Sequence, residues 1–252
     1  MKIKNNTSWG AVAKWYEQML ADKNSFQINV ILPNLTRLMN LKKGERVLDL
    51  ACGTGFFSNI FASSGAHVQG VDIGRELIKI AEQNSPVSIQ YSISSADKIP
   101  QIKNASIDKI AIILAIQNIE NVGGVFAECA RVLKPGGSIF VVLNHPAYRN
   151  PKQTSWGWDD ENGIEYRRVD KYLSESKIKI DMHPGQDESE NTISFHRPLQ
   201  YYCKQMSKNN LAIARLEEWI SHRQGPKGKR FAASEMSRKE IPLFLCLEIK
   251  KI

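Results

Sequence analysis

The stretch Val47-Leu48-Asp49-Leu50-Ala51-Cys52-Gly53-Thr54-Gly55 constrains the fold more than any other part of the chain, because a short apolar run ends there in small residues spaced by two. A run of that length reads as a strand, and residues 56–63 after it carry apolar side chains at helical spacing. A loop that leaves a strand and opens a helix turns backbone N–H groups toward whatever binds at the strand's carboxyl edge, where a bulky side chain would hold the ligand away. The same grammar then repeats. Residues 67–71 form a second strand running to Asp72, 75–83 a helix with Leu77, Ile78 and Ala81 inward, 88–93 a third strand, and 109–114 a continuous apolar fourth. A helix over 122–133 runs into Lys134-Pro135-Gly136-Gly137, a stop and a turn, and 138–143 is a fifth strand. Strands alternating with helices predict a doubly wound α/β domain with a parallel sheet and right-handed crossovers.

Two helical stretches, 8–20 and 26–39, precede the loop. In the first, Trp9, Val12, Trp15, Tyr16 and Met19 make one apolar face, and Pro33 marks a kink or a restart in the second. After strand five the rhythm breaks. Residues 144–195 are polar and contain Trp156-Gly157-Trp158, too long a connection to lack structure, so they read as a lid or substrate-facing insertion. A helix over 198–207 and strands over 212–220 and 242–249 close the chain. The 252 residues therefore read as one domain: a helical cap (1–44), a ligand-binding core (45–143), the insertion (144–195), and a last helix with strands six and seven (196–252).

Several classes are disfavoured. The apolar runs 110–116 and 138–143 fall well short of the roughly 20 residues that cross a bilayer. Met1 to Asn6 carries two lysines without a following apolar stretch, so neither a membrane span nor a secretory signal is expected, and the cytoplasm is the expected location. Cys52, Cys129, Cys203 and Cys246 are scattered, which predicts buried thiols and no metal site. The net charge of +8 raises an anionic partner, yet the positive residues are spread along the chain and the densest stretch, 223–230, suits a solvated connector. A nucleic-acid partner is therefore not favoured. The oligomeric state is left open.

The loop reads D-x-A-x-G-x-G, whereas a dinucleotide fingerprint reads G-x-G-x-x-G. Its spacing suits a ligand without phosphates, such as one with an amino-acid tail whose ammonium Asp49 would face. Asp72, about twenty residues past the loop, stands where a carboxylate accepts both hydroxyls of a ribose. Asp97, in Ser95-Ala96-Asp97-Lys98-Ile99-Pro100 after strand three, is placed to accept from an adenine amino group.

These segments, with Val71-Asp72-Ile73, Ala96-Asp97 and Arg131-Val132-Leu133-Lys134-Pro135-Gly136-Gly137, resemble the class I S-adenosylmethionine-dependent methyltransferases. The resemblance covers residues 9–143 and resumes at Phe195-His196-Arg197-Pro198-Leu199. It implies a Rossmann-like seven-stranded sheet of order 3-2-1-4-5-7-6 with strand 7 antiparallel, S-adenosylmethionine as methyl donor and S-adenosylhomocysteine as product. Carried over, Asp49, Ala51, Cys52, Gly53 and Gly55 would hold the methionine part, Asp72 the ribose, Ile73 one adenine face, and Asp97 with the Lys98 backbone the adenine edge. Ile113 and Leu114 would flank the methionine part or the sulfonium, and Tyr16 matches an aromatic that covers the cofactor in relatives. Three departures stand out: Ala51 replaces the commoner first glycine, Gly74 sits where a capping serine or aspartate is usual, and Asn209-Asn210 replaces a glycine and an aromatic.

Methyl transfer is an in-line displacement, so the protein's main task is to align the nucleophile, and a base is needed only where a proton must leave early. Acceptor residues are expected beyond strands four and five. Gln117 and Asn118 follow strand four without the Asn/Asp-Pro-Pro-Tyr/Phe constellation of amino-group methylation. In Asn144-His145-Pro146, after strand five, His145 is the candidate base or acceptor ligand, set against a structural hydrogen-bonding role. His183 and His196 are weaker candidates. Tyr148, Trp156 and Trp158 would wall an acceptor pocket or form the insertion's own core, and Arg149, Arg167 and Arg168 would bind an acidic acceptor or solvate a surface. The leading reading is a small-molecule methyltransferase; its rivals are a methyltransferase of RNA or protein, and a non-catalytic cofactor-binding protein on this fold. A dehydrogenase is opposed by the loop spacing.

Overall fold

A computed structural model of the protein describes residues 22–181, 191–225 and 227–252. The predicted helix over 8–20, with Tyr16, and His183 lie outside the described residues. The chain enters through a π-helical turn, Gln27–Ile31, which passes into helix α1 (Leu32–Met39) with Pro33 in its first turn. Proline is tolerated there because the N–H it lacks has no helical partner in any case, so the residue marks the predicted restart.

The alternation follows in the expected order: β1 (Arg46–Leu50), α2 (Phe56–Ser63), β2 (His67–Asp72), α3 (Arg75–Gln83), β3 (Gln90–Ile93), β4 (Ile107–Ile113), α4 (Val122–Val132) and β5 (Leu133–Asn144). The region 144–195 holds two antiparallel hairpins, β6 (Thr154–Asp159) with β7 (Ile164–Val169), and β8 (Ser176–Asp181) with β9 (Asn191–His196). Then come α5 (Leu199–Ser207), β10 (Leu211–Trp219), α6 (Phe231–Glu240), which the sequence reading did not anticipate, and β11 (Phe244–Lys251).

Seven strands form one sheet in the order β3-β2-β1-β4-β5-β11-β10, with β11 antiparallel to both neighbours. Counted along the core alone this is 3-2-1-4-5-7-6, as the resemblance implied. Side chains alternate across it with the period of two that a pleated strand imposes. Leu48, Leu50, Ile110, Ile112, Ile139 and Val141 pack on one face beneath Phe126 of α4 and Tyr202 of α5. Val47, Ala111, Ile113, Phe140 and Val142 pack on the other, against Leu35 and Met39 of α1 and Phe57 and Phe61 of α2. Covering on both faces explains why the central strands read as unbroken apolar runs.

Strand five starts earlier than expected. Leu133 already pairs with Ile107, and an irregularity before the Lys109–Ser138 pair absorbs Pro135 and Gly136, the latter at φ 78°. Among the described residues no helix is long and apolar enough to cross a membrane, and no group of three His, Cys, Asp or Glu side chains is placed to hold a metal ion.

Candidate functional site

The spacing of two in the loop has a backbone cause. Ala51, Gly53 and Gly55 all lie in the left-handed region, at φ 62°, 56° and 78°. Glycine adopts that conformation freely, whereas Ala51 meets its own Cβ at a cost of about 1–2 kcal/mol. The turn is pinned at both ends: Cys52 N–H donates to the Val71 carbonyl at 3.0 Å and Gly55 N–H to the Cys52 carbonyl at 3.1 Å. Tyr91, on β3, lies directly across from Gly70 of β2, and a Cβ at either Gly70 or Gly55 would collide with its ring. Its hydroxyl pairs with Ser85 Oγ at 2.8 Å.

Two buried carboxylates flank the loop. Asp49, at 2% exposure, accepts from Ser58 Oγ at 2.6 Å. Burial pushes its carboxyl up to about 7, against the Ser58 bond and with a further upward push from the Asp72 charge. Asp72 accepts Gly53 N–H on Oδ2 at 2.9 Å and Gly74 N–H on Oδ1 at 2.7 Å. Burial raises its carboxyl too, and those two N–H groups oppose the rise. Each oxygen keeps a lone pair for a further donor. Cys52 is pushed well up by burial, then by the charges of Asp49 and Asp72, so its thiol stays protonated.

Two hollows lie around these groups. One is lined by Gln27, Asp49, Ala51, Cys52, Phe57, Ile113 and Leu114. The other, sharing Ala51, is lined by Asp72, Ile73, Ser95, Asn118, Ile119 and Glu120. Ile73 stands 42% exposed on its rim. Leu114 leaves β4 at φ 53°, with its N–H on the Val142 carbonyl at 2.7 Å and its own carbonyl taking Gln117 Nε2 at 2.7 Å. Asp97 receives Asn121 Nδ2 at 2.7 Å and the Ser95 hydroxyl. The Lys98 N–H, expected on the adenine edge, closes a turn onto the Ser95 carbonyl at 2.9 Å instead.

The expected acceptor residues divide. His145 is 7% exposed; its Nδ1 accepts Ala147 N–H at 3.2 Å, so the proton sits on Nε2 and is donated to Glu218 Oε1 at 2.7 Å. Burial lowers its pKa, against the pull of Glu218. With both nitrogens taken, the ring has no lone pair for a substrate proton, and this geometry gives His145 the structural role rather than that of base. His196 is likewise buried, donating Nε2–H to the Tyr172 carbonyl at 2.8 Å. Asn118 reaches the Ile193 carbonyl of β9 at 3.3 Å, and Asn144 stands in the ladder opposite Phe244. Tyr148, Arg149, Trp156 and Arg167 meet in a separate cavity beyond β5 and β11. Trp158 turns away to Arg230, whose guanidinium lies 4.3 Å from its ring centroid, and Arg168 pairs with Asp170 at 2.8 Å.

Some supports went unforeseen. Ser58, Asn121 and Gln27 carry no motif of their own. Arg197 is buried and clamps the cleft wall, donating to the Ile119 and Glu120 carbonyls at 2.8 and 2.7 Å while lying 4.6 Å over Phe195.

Comparison with known proteins agrees with this geometry. Residues 48–141 match a family described as a methyltransferase domain. A ubiquinone biosynthesis O-methyltransferase of Hahella chejuensis is 30% identical over 142 residues, 55% of this chain and 58% of that protein. One of Xylella fastidiosa is 36% identical over 101 residues, 39% of this chain and 41% of its own. The chain thus spans less than two thirds of the length of these curated relatives. The crystal structure of an S-adenosylmethionine-dependent methyltransferase from Mesorhizobium loti superposes with a TM-score of 0.69 at 25% identity, covering 86% of this chain and 96% of that one. With the motif residues, the strand order and these matches in agreement, residues 48–141 form a methyltransferase domain and the chain has the fold of the class I S-adenosylmethionine-dependent methyltransferases.

Proposed function

We propose that the protein binds S-adenosylmethionine and transfers its methyl group to a small-molecule acceptor. One observation carries the reading: two buried carboxylates, Asp49 and Asp72, flank a loop whose alternate residues are left-handed, with an apolar rim at Ile73. The residues present fit the cofactor. Asp49 suits an ammonium, since burial makes its lone negative charge costly until a cation arrives. Asp72 has one free acceptor position on each oxygen for a vicinal diol, and Ile73 offers a flat ring an apolar face. Asp97 retains acceptor capacity beside its bonds to Asn121 and Ser95 for an exocyclic amine. The acceptor's class is supported by the relatives' name, which refers to O-methylation in ubiquinone biosynthesis.

When bound, S-adenosylmethionine would supply a methyl carbon on a positively charged sulfur, open to in-line attack by an acceptor lone pair with the carbon–sulfur electron pair left on sulfur. The protein's part is positional. Ile113 and Leu114 bound the chamber next to Asp49 and narrow the approach. A proton leaving an acceptor hydroxyl does not pass to His145, whose Nε2–H is donated to Glu218 and whose Nδ1 accepts the Ala147 N–H.

Calorimetry with S-adenosylhomocysteine and with NAD tests the donor: the first is expected to bind and the second not, and the reverse would sink the reading. Tritiated methyl donor added with the protein to fractionated cell extract tests the acceptor. Label in the small-molecule fraction is expected; label confined to RNA or protein would replace the acceptor class.

A further inference from the structure

The cavity beyond β5 and β11, about 460 Å³, brings together four guanidinium groups from four segments of the chain: Arg149 after β5, Arg167 on β7, Arg223 after β10 and Arg238 on α6. Among the described residues none of the four lies within ion-pair distance of a carboxylate, although nine other lysine and arginine side chains do. Glu235, on α6 near Arg238, is held by the Gly225 N–H at 2.6 Å. Arg167 spends donors on the Tyr148 carbonyl at 3.0 Å and Thr154 Oγ1 at 2.7 Å, and Arg223 spends one on the Asn24 carbonyl at 3.1 Å. Arg149 is half-buried over the Phe244 ring at 5.6 Å, and its guanidinium donates no hydrogen bond among the described residues. Burial and the neighbouring Arg167 charge both depress it.

Arg149, Arg167 and Arg238 are half-buried and Arg223 is exposed; like charges gathered and partly desolvated oppose folding, and with no counter-ion among the described residues the arrangement points to an anion supplied from outside. Planar guanidiniums match the two oxygens of a carboxylate or phosphate. Three aromatic rings, Phe26, Tyr148 and Trp156, line the cavity beside the cations, with the Arg167 guanidinium 5.1 Å from the Trp156 ring centroid, and aliphatic and polar side chains complete it. The location suits an acceptor. Tyr148 and Arg149 follow the carboxyl end of β5, which neighbours β4 on the sheet edge that carries the cofactor hollows. Phe26 lines this cavity and the adjacent Gln27 lines the chamber of Asp49, so the two spaces share one wall.

We propose that this cavity is the acceptor site and that the acceptor is a small aromatic oxyanion, a ring bearing a carboxylate or a phosphate monoester, with the arginines binding its charge and Tyr148 and Trp156 its ring. The acceptor role rests on the methyltransferase reading above; the oxyanion site does not.

The test is calorimetric titration of the full chain with benzoate, phenyl phosphate and the neutral isostere benzyl alcohol, with and without saturating S-adenosylhomocysteine. Both anions are expected to bind and benzyl alcohol not, and the tighter anion identifies the charged group. Arg149→Gln and Arg167→Gln should each weaken the anions by about tenfold or more while S-adenosylhomocysteine affinity holds. Should either variant fail to fold, Arg223→Gln and Arg238→Gln supply the same comparison, and the benzoate against benzyl alcohol contrast needs no variant. Equal binding of benzyl alcohol and benzoate, or anion affinity indifferent to all four substitutions, overturns the site. Competition between benzoate and S-adenosylhomocysteine overturns the acceptor role, because donor and acceptor must be held together. Benzoate binding in a protein that does not bind S-adenosylhomocysteine leaves the oxyanion site standing and removes both the acceptor role and the transferase reading.

Discussion

Asp49 carries its carboxyl at about 7 because it is buried without a cation. The sign of the linkage follows. Its folded pKa lies above the ordinary carboxylate value, so the stability it contributes is present below that value and is lost as pH rises through about 7. A ligand ammonium prefers the ionised form, so S-adenosylhomocysteine affinity should fall below about pH 7, approaching tenfold per unit. Titrations from pH 6 to 8 would show this, and Asp49→Asn should flatten the profile, lower the affinity and raise the melting temperature of the free protein at pH 8. A pH-independent wild-type affinity would contradict the assignment. Ala51→Gly probes the loop next door: removing a left-handed Cβ gains about 1–2 kcal/mol, and the freer unfolded chain takes back about 0.4–1, so denaturant unfolding should show a slight net stabilisation. Asp49, Asp72 and the small residues were legible because their chemistry is written in spacing. Ser58 was not, since a serine nine positions on says nothing of which way its hydroxyl turns. For His145 the sequence left a base or ligand open against a structural role, because its bond to Glu218 spans 73 residues and exists only once β10 and β11 have joined the sheet.

At the scale of elements, the loop stands on the edge of a neighbouring strand. Tyr91 fills the space that Gly70 and Gly55 leave, so Tyr91→Ala should cost about 2–4 kcal/mol in denaturant unfolding and weaken S-adenosylhomocysteine binding, while Tyr91→Phe, losing the Ser85 bond alone, should cost about 1 kcal/mol. The core strands and α2 to α5 were legible because each buries a continuous face. The hairpins of 144–195 were not. In β7 the half-buried positions are Glu165, Arg167 and Val169 while Ile164 and Tyr166 stand 54% and 47% exposed, which inverts the pattern from which a strand is read. Helix α6 hid for a related reason: it docks through Ser234 and Ser237, and Ser237 Oγ donates to the Glu165 carbonyl at 2.7 Å, so no apolar stripe announces it. The two hairpins also serve different neighbourhoods. β6 and β7 supply Trp156 and Arg167 to the arginine cavity, whereas β9 reaches Asn118 beside the cofactor cleft.

Across the whole molecule, the antiparallel β11 sets the arrangement. Because it runs against β5, its first residue lies beside the last of β5, and the chain leading into it joins the functional edge of the sheet. The excursion between β10 and β11 is pinched at its base, with Leu243 N–H on the Trp219 carbonyl and His145 N–H on the Leu243 carbonyl, both at 2.8 Å. Replacing residues 222–240 with a short glycine-rich turn should therefore leave S-adenosylhomocysteine binding intact and abolish benzoate binding; loss of both would place the excursion among the supports of the sheet. A stem closed in this way makes the segment a module. Reshaped on its own, such a segment would change which oxyanions the proposed site admits while the half of the sheet around Asp49 and Asp72 folds as before.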